Sequence, residues 1–110
     1  MAAPPKPRRY QRVKLSPAKW VIVQGAGRME TLRCTMMGLG GMFLECAKPF
    51  PEGSFARFAF SVGSQTARGT ATVRDASSKG MGLAFITLKP DDRAKIRLFL
   101  DRQITRSTSR

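Results

Sequence analysis

The stretch Gly-Met-Gly-Leu-Ala-Phe-Ile-Thr-Leu-Lys-Pro-Asp-Asp-Arg, residues 80–93, marks the change from strand to helix that decides the fold. Its first half places a large apolar residue at every second position from Met81, and this period of two is typical of a half-buried strand. Its second half contains Pro90, which fixes φ for a first helical turn, followed by two aspartates that favour the positive end of the helix dipole. The stretch therefore predicts a last strand and then a C-terminal helix that ends near Ile104.

Five earlier segments have the alternation, or the β-branched and aromatic content, of short strands, and glycine- and proline-rich turns separate them. These segments are residues 18–23, 30–36, 42–46, 55–61 and 65–75. Six short strands and one helix predict a mainly β fold, a six-stranded antiparallel β-barrel with a C-terminal α-helix.

Two details of this pattern concern the second and third strands. Leu32, Cys34 and Met36 alternate with polar residues, so we expect these three side chains to share the buried face. The connection Gly38-Leu39-Gly40-Gly41 contains three glycines, which permit positive φ and close backbone approach, so we expect a sharp turn. Five aromatic residues are expected in the core: Trp20, Phe58, Phe60, Phe85 and Phe99.

Composition limits the classes of function. The 110 residues suit one domain, and a hydrophobic content of 42% is enough for a core. The chain has no histidine, which excludes Ser-His and Cys-His nucleophile pairs and histidine-ligated metal sites. The 7 acidic residues are scattered, and 2 cysteines without histidine cannot form a structural zinc site. We therefore expect a protein that is not an enzyme, with no metal and no cofactor.

The cysteines leave two interpretations open. Residues 1–7 lack the apolar run of a signal peptide, and no segment has the ~20 apolar residues of a membrane helix, so we expect a cytoplasmic protein with reduced thiols. Cys34 and Cys46 are equidistant from Gly40, so a hairpin centred there would place them opposite each other and permit a disulfide. Two reduced, buried thiols are the preferred interpretation.

The charge is unevenly distributed along the chain. Lysine and arginine outnumber the acids by 20 to 7, and the net charge of +13 predicts an anionic partner. A basic cluster, Arg-Arg-Tyr-Gln-Arg at residues 8–12, precedes the first acid, Glu30. Proline in residues 1–7 predicts a flexible N-terminal arm, residues 8–104 a single barrel domain with its helix, and residues 105–110 a polar, basic tail.

The order and spacing of three segments resemble the PilZ domain family, whose members are six-stranded barrels with a C-terminal helix that serve bacteria as cyclic di-GMP receptors. Residues 8–12 resemble the R-x-x-x-R arm of that family, with an additional arginine inside the motif. Residues 35–45, Thr-Met-Met-Gly-Leu-Gly-Gly-Met-Phe-Leu-Glu, resemble the segment that carries the second motif, [D/N]-x-S-x-x-G. Residues 80–93 resemble the last strand and the entry into the helix.

The resemblance implies a cyclic di-GMP site between the arm and the glycine-rich turn. The implied ligand-binding residues are Arg8, Arg9, Arg12 and Gly41. An alignment on Gly41 places Met36 where the family has Asp or Asn, and Gly38 where the family has Ser. Met36 cannot accept the hydrogen bonds that a carboxylate or amide accepts, and Gly38 offers no hydroxyl. The second motif is therefore degenerate.

Three functions follow from these observations. The first is a cyclic di-GMP receptor or adaptor that signals to a partner protein, as in motility or biofilm regulation. The second is a degenerate PilZ-like domain that binds no nucleotide and acts by protein contact, as some members do at the type IV pilus or flagellum. The third, a small basic barrel for single-stranded nucleic acid, is disfavoured because the aromatic residues fit core positions. Monomer and homodimer both remain open.

Overall fold

The described chain is a closed barrel of six antiparallel strands followed by a helix. The structure is a computed structural model that describes residues 12–108. Its elements are β1 (Val13–Gly25), β2 (Arg28–Met37), β3 (Gly41–Glu45), β4 (Phe55–Val62), β5 (Gln65–Ser77), β6 (Gly80–Thr87) and α1 (Pro90–Thr108). Around the barrel the order is β1-β2-β3-β6-β5-β4, and β4 pairs with β1 to close it. The predicted six-stranded antiparallel barrel with a C-terminal helix is confirmed.

Alternate side chains of the strands fill the barrel with one apolar core. In β5, Ala67, Ala71 and Val73 are fully buried, as their alternation predicts. On β4, the rings of Phe58 and Phe60 point inward and lie stacked, with centroids 6.4 Å apart. Within residues 12–104 no polar or charged residue is buried. Removal of this apolar surface from water, at roughly 25 cal/mol per Å², therefore drives closure of the barrel without a buried polar network.

The helix α1 packs its apolar stripe against β5, β1 and β4. Ile96 is completely buried, and Phe99 and Leu100 are nearly so, in agreement with the predicted stripe. The ring of Phe99 meets that of Phe60 edge to face, with centroids 5.7 Å apart, an arrangement that aromatic pairs prefer. The helix is thus part of the same core as the strands.

The helix begins as predicted but ends later. It starts at Pro90, and the Oδ1 atom of Asp92 accepts a hydrogen bond of 3.0 Å from the backbone N–H of Arg68, which ties the first turn to β5. It continues through Thr108, past the end predicted at Ile104, because the following residues include neither glycine nor proline to stop it. Over the described part of the chain, no helix combines the length and hydropathy needed to cross a membrane.

A bulge in β2 corrects the predicted buried face of that strand. Cys34 pairs with Leu44 and Met36 pairs with Phe43, so β2 has one residue more than β3 over this interval. The extra residue reverses the direction of the side chains that follow. Met37 is therefore fully buried, whereas Met36 is only half-buried on the outer surface. The prediction that Met36 shares the buried face of Leu32 and Cys34 is wrong.

The glycine-rich turn between β2 and β3 is sharp, but not through positive φ. Among the described residues, the glycines with positive φ lie elsewhere in the chain. The turn is closed by a hydrogen bond of 2.9 Å from the N–H of Gly38 to the carbonyl of Gly41. It is tied to β6 by another of 2.9 Å from the N–H of Phe85 to the carbonyl of Gly40. Close approach is the part of the prediction that holds, because a Cβ at Gly41 would overlap the carbonyl oxygen of Leu83.

Trp20 is a second correction to the predicted core. Its side chain is 60% exposed, whereas Val21 and Val23, which occupy every second position of β1, are fully buried. The β-branched residues of β1 therefore take the inward positions, and the alternation leaves Trp20 on the outer surface. Phe58, Phe60 and Phe99 are in the core as predicted, and Phe85 is half-buried against it.

The strand register also overturns the geometry behind a disulfide. Cys34 lies opposite Leu44, and Cys46 lies beyond the end of β3, so the two cysteines are not cross-strand partners. Both thiols are free. Cys34 is completely buried, and its Sγ donates a hydrogen bond of 3.2 Å to the carbonyl of Met36. Burial raises the pKa of the Cys34 thiol to about 12.

The two thiols are expected to differ in reactivity. In mildly alkaline buffer, a thiol reagent should modify the half-buried Cys46 of the native protein and reach Cys34 only on unfolding, because the thiolate is the reactive form. The free energy of unfolding should fall as the pH rises from the ordinary thiol pKa toward about 12, since the unfolded state then loses the Cys34 proton first. The fall is measured as the difference between wild type and Cys34→Ala. Equal labelling rates for the two thiols in the native state would contradict this assignment.

Gly41 is expected to be required for stability. Gly41→Ala should lower the free energy of unfolding by about 1–3 kcal/mol, the usual effect of forcing extra atoms into a packed site, because its Cβ would strike the carbonyl of Leu83. Gly82→Ala is the matched control, since its Cβ would meet only Asp75 at contact distances of 3.5–4.0 Å, and a change below about 0.5 kcal/mol is expected. Urea unfolding followed by Trp20 fluorescence measures both. Equal losses would argue against close approach as the role of Gly41.

Candidate ligand-binding site

Two bulges place four residues of adjacent strands in one row on the outside of the barrel. One bulge leaves Thr35 as the extra residue of β2, and the other leaves Arg74 as the extra residue of β5. The outer row, as we call it, consists of Met36 on β2, Phe43 on β3, Gly82 on β6 and Asp75 on β5. Neighbouring strands are about 4.8 Å apart, so adjacent members of the row are within side-chain contact.

Arg12, the last residue of the basic segment 8–12, lies near this row where it reaches β2. Lys14 pairs with Met36, which extends the row onto β1, and Val13 pairs with Met37. Arg12 immediately precedes Val13 and is exposed. The barrel therefore brings Arg12 beside the end of β2 and the turn that follows. Arg8 and Arg9 lie outside the described residues, as does the predicted arm at residues 1–7.

The two degenerate motif positions supply no side-chain hydrogen bonds. Met36 presents a half-buried thioether, and its carbonyl accepts the bond from Cys34. Gly38 is buried, and its N–H is engaged by the carbonyl of Gly41. A ligand at this turn would therefore meet apolar surface and backbone where an acid and a hydroxyl stand in the motif.

Gly41 has a structural role that the sequence pattern did not reveal. It is buried at the start of β3, and the carbonyl of Leu83 occupies the space of a side chain. A glycine at this position is thus explained by strand packing alone. Its part in ligand binding remains a prediction.

Sequence reasoning missed two members of the outer row, Phe43 and Asp75. The Phe43 ring lies over Gly80, with its tip 2.9 Å from the position of a Cβ there, and the Asp75 carboxylate lies 3.5 Å from the Cβ position of Gly82. Asp75 is exposed, and it forms no hydrogen bond or ion pair with any residue from 12 to 108. Glycines on β6 therefore leave room for an aromatic ring and a free carboxylate on one surface. The bulge that turns Asp75 outward leaves no signal in the local alternation.

A different part of the outer surface is apolar. The apolar face consists of Trp20 and Ile22 on β1, Met29 on β2 and Phe55 on β4, whose side chains are between 48% and 66% exposed. A groove of about 450 Å³ runs between Met29, Phe55 and Arg57. Exposed apolar residues are ordinary when single, but a group on adjacent strands is typical of an interaction surface.

The acids and thiols give no indication of a metal centre. In residues 12–108, no three side chains of Cys, Asp or Glu come together in a group that would hold a metal ion. The chemistry available at the outer row is hydrogen bonding, charge and contact with apolar groups.

Comparison with known proteins gives one family and several similar folds. The family model described as the PilZ domain matches residues 6–102. No curated protein matches the chain significantly.

Three solved structures illustrate the likeness in fold. The PilZ domain of YcgR from Escherichia coli, solved with c-di-GMP, has a TM-score of 0.72 at 21% identity, over 96% of this chain and 99% of that domain. The inhibitor of motility MotI/DgrA of Bacillus subtilis has a TM-score of 0.75 at 19% identity over 96% of this chain, which spans only 54% of that protein. The PilZ domain of CeSA from a cellulose-synthesizing bacterium has a TM-score of 0.69 at 13% identity, over 84% of this chain and 97% of that domain.

These identities support a shared fold, and the family model extends the relationship to the sequence over nearly the whole barrel and helix. The match begins within the basic N-terminal segment and ends near the end of the helix, so it includes both motif segments and the outer row. The chain belongs to the PilZ domain family, a family of regulatory, cyclic di-GMP-binding adaptor domains.

Proposed function

We propose that this protein is a cytoplasmic cyclic di-GMP receptor that catalyses no reaction and signals to a partner protein. The observation that carries the proposal is the pairing of Val13 with Met37, because it places Arg12 beside the turn that leads to Gly41. In this proposal Arg8, Arg9 and Arg12 hold the nucleotide against the turn and the outer row.

Arginine suits this ligand in two ways. Its planar guanidinium forms bidentate hydrogen bonds with a phosphate, and the same plane stacks on a purine. Cyclic di-GMP carries two phosphates and two guanines, so a pair of arginines four residues apart contacts both kinds of group. Phe43 and Met36 provide an apolar surface over which a guanine ring can lie.

Binding would fix the arginine segment in one position on the barrel. The segment leads directly into β1, so the ligand changes the surface around the start of that strand. A partner protein that contacts this region would distinguish the bound from the free state, since a ligand shifts an equilibrium only through differential affinity. No covalent step is needed.

Calorimetric titration with cyclic di-GMP tests the receptor. We expect the wild type to bind, and Arg8→Ala/Arg12→Ala to bind at least about a hundredfold more weakly, because the variant loses two charge-assisted contacts of about 1.5–3 kcal/mol each. The matched control is Arg97→Ala/Arg102→Ala, which removes two exposed arginines from α1. Absence of heat with the wild type, or equal losses in the two double variants, would reject the proposal.

A second candidate, a PilZ domain that works by protein contact without nucleotide, is favoured by the apolar face. Ile22 lies between Thr31 and Ala59, both small enough to leave its side chain open to solvent. Met29 and Ile22 accompany the exposed aromatic residues, and such a mixture suits an apolar protein surface better than stacked bases. The exposed Arg57 at its border favours a partner with carboxylates around an apolar centre.

The second candidate makes a different prediction for the titration. Met36→Asp/Gly38→Ser restores the side chains of the second motif, and if the natural chain has lost the nucleotide, the double variant should bind cyclic di-GMP while the wild type gives no heat. Thermal unfolding of both proteins controls for folding, since Gly38 is buried. Binding by the wild type that depends on Arg8 and Arg12 would decide against this candidate.

A further inference from the structure

Asp75 is an unusual residue for a chain with a net charge of +13. It is one of 7 acids, it is exposed, and its carboxylate has no partner among residues 12–108. The other two acids that lie within strands differ in this respect, since Glu30 on β2 pairs with Arg28 at 3.6 Å and Glu45 on β3 pairs with Arg33 at 3.7 Å. Its position therefore requires an explanation other than an internal ion pair.

The β5 bulge is what directs Asp75 to the outer surface. Val73 pairs with Leu83, and both are buried, so the next regular pair would match residue 74 with residue 82 and turn Asp75 inward. The extra residue pairs Asp75 with Gly82 instead. Bulges commonly redirect a side chain next to a functional site. Here the redirected side chain is a carboxylate.

The surface of β6 beside Asp75 carries few side chains. The Asp75 carboxylate lies 3.5 Å from the empty Cβ position of Gly82, and the Phe43 ring covers the buried Gly80. Gly41 pairs with Ala84, the next outward position of β6, so this surface adjoins the glycine-rich turn.

We propose that Asp75 recognises the guanine edge of the ligand, in place of the acid or amide that position 36 lacks. The inference rests on the proposed receptor function. Guanine presents two donors on one edge, its ring N–H and its exocyclic amine, and an ionised carboxylate accepts from both. Phe43 supports the apolar face of the ring, and Asp75 contacts its edge from β5 rather than β2. Asp75 is thus a specificity-determining residue.

Electrostatics predicts in which direction the affinity would change if Asp75 acted only through its charge. A carboxylate near a ligand with two phosphates repels it, so removing the charge of Asp75 should strengthen binding unless Asp75 makes a specific contact. Arg74, exposed and adjacent in sequence, and the surplus of positive charge offset part of this repulsion. Loss of affinity on neutralising Asp75 therefore cannot result from net charge alone.

The test compares cyclic di-GMP with cyclic di-IMP, the inosine analogue that lacks the exocyclic amine. We expect the wild type to prefer cyclic di-GMP about tenfold, the effect of one hydrogen bond to a charged group. Asp75→Ala, which removes the exposed carboxylate and its acceptor oxygens, should weaken cyclic di-GMP binding tenfold or more and abolish the preference. Glu52→Ala, an equal change at an exposed turn residue, is the control and should leave both values unchanged. Adding Met36→Asp to Asp75→Ala should restore the preference.

The outcomes separate this inference from the receptor function. If the wild type binds through Arg8 and Arg12 but Asp75→Ala keeps its affinity and its preference, or binds more tightly, the role of Asp75 is rejected and the receptor stands. If Glu52→Ala weakens binding as much as Asp75→Ala does, the role of Asp75 is likewise rejected. If the wild type binds neither nucleotide, both are rejected.

Discussion

The close approach of β3 and β6 is the constraint on which the outer surface depends. A Cβ at Gly41, the first residue of β3, would overlap the carbonyl oxygen of Leu83, and a Cβ at Gly80, the first residue of β6, would overlap that of Leu44. Each strand therefore begins with a glycine packed on the backbone of the other. Gly82 also lacks a side chain, and it lies between Phe43 on β3 and Asp75 on β5. The surface of β6 therefore leaves these two side chains exposed to one common region outside the filled barrel.

The strands on either side of this pair both carry a bulge. β2 and β5 each carry an extra residue where they pair with β3 and β6, and a bulge bends the strand and increases its twist. In both strands the buried alternation resumes afterwards, with Met37 in the core of β2 and Ala76 half-buried in β5. The apolar core is therefore preserved, and the bulges change only the outer surface, where Met36 and Asp75 face outward. The two bulges thus determine which side chains are available to a ligand.

The sequence predicted the parts of the fold that depend on local pattern. Six strands, the start of α1 at Pro90 and its buried stripe are local features, since alternation, a fixed φ and helical spacing each involve a few residues. Met36 was wrong because a bulge changes register without changing the sequence pattern on either side. The pairing of Cys34 with Cys46 was wrong because the turn is centred between Leu39 and Gly40, and the bulge shifts Cys34 one residue further, opposite Leu44. Trp20 was wrong because β-branched neighbours filled the inward positions of β1. Phe43 and Asp75 were missed because their proximity depends on β6, which joins two distant strands of the chain.

The proposed complex separates affinity from specificity. Phosphates are common to all cyclic dinucleotides, so arginines in the segment before β1 contribute binding energy with little discrimination between bases. Discrimination requires groups held rigidly against a base edge, and only the barrel provides them, because its side chains are fixed by strand register and packing. Loss of the second-motif acid from β2 would then be tolerated if another strand of the same face carries an acid that contacts the same base edge. The barrel allows an acid on β5 to replace one on β2, since these two strands flank the same pair, β3 and β6.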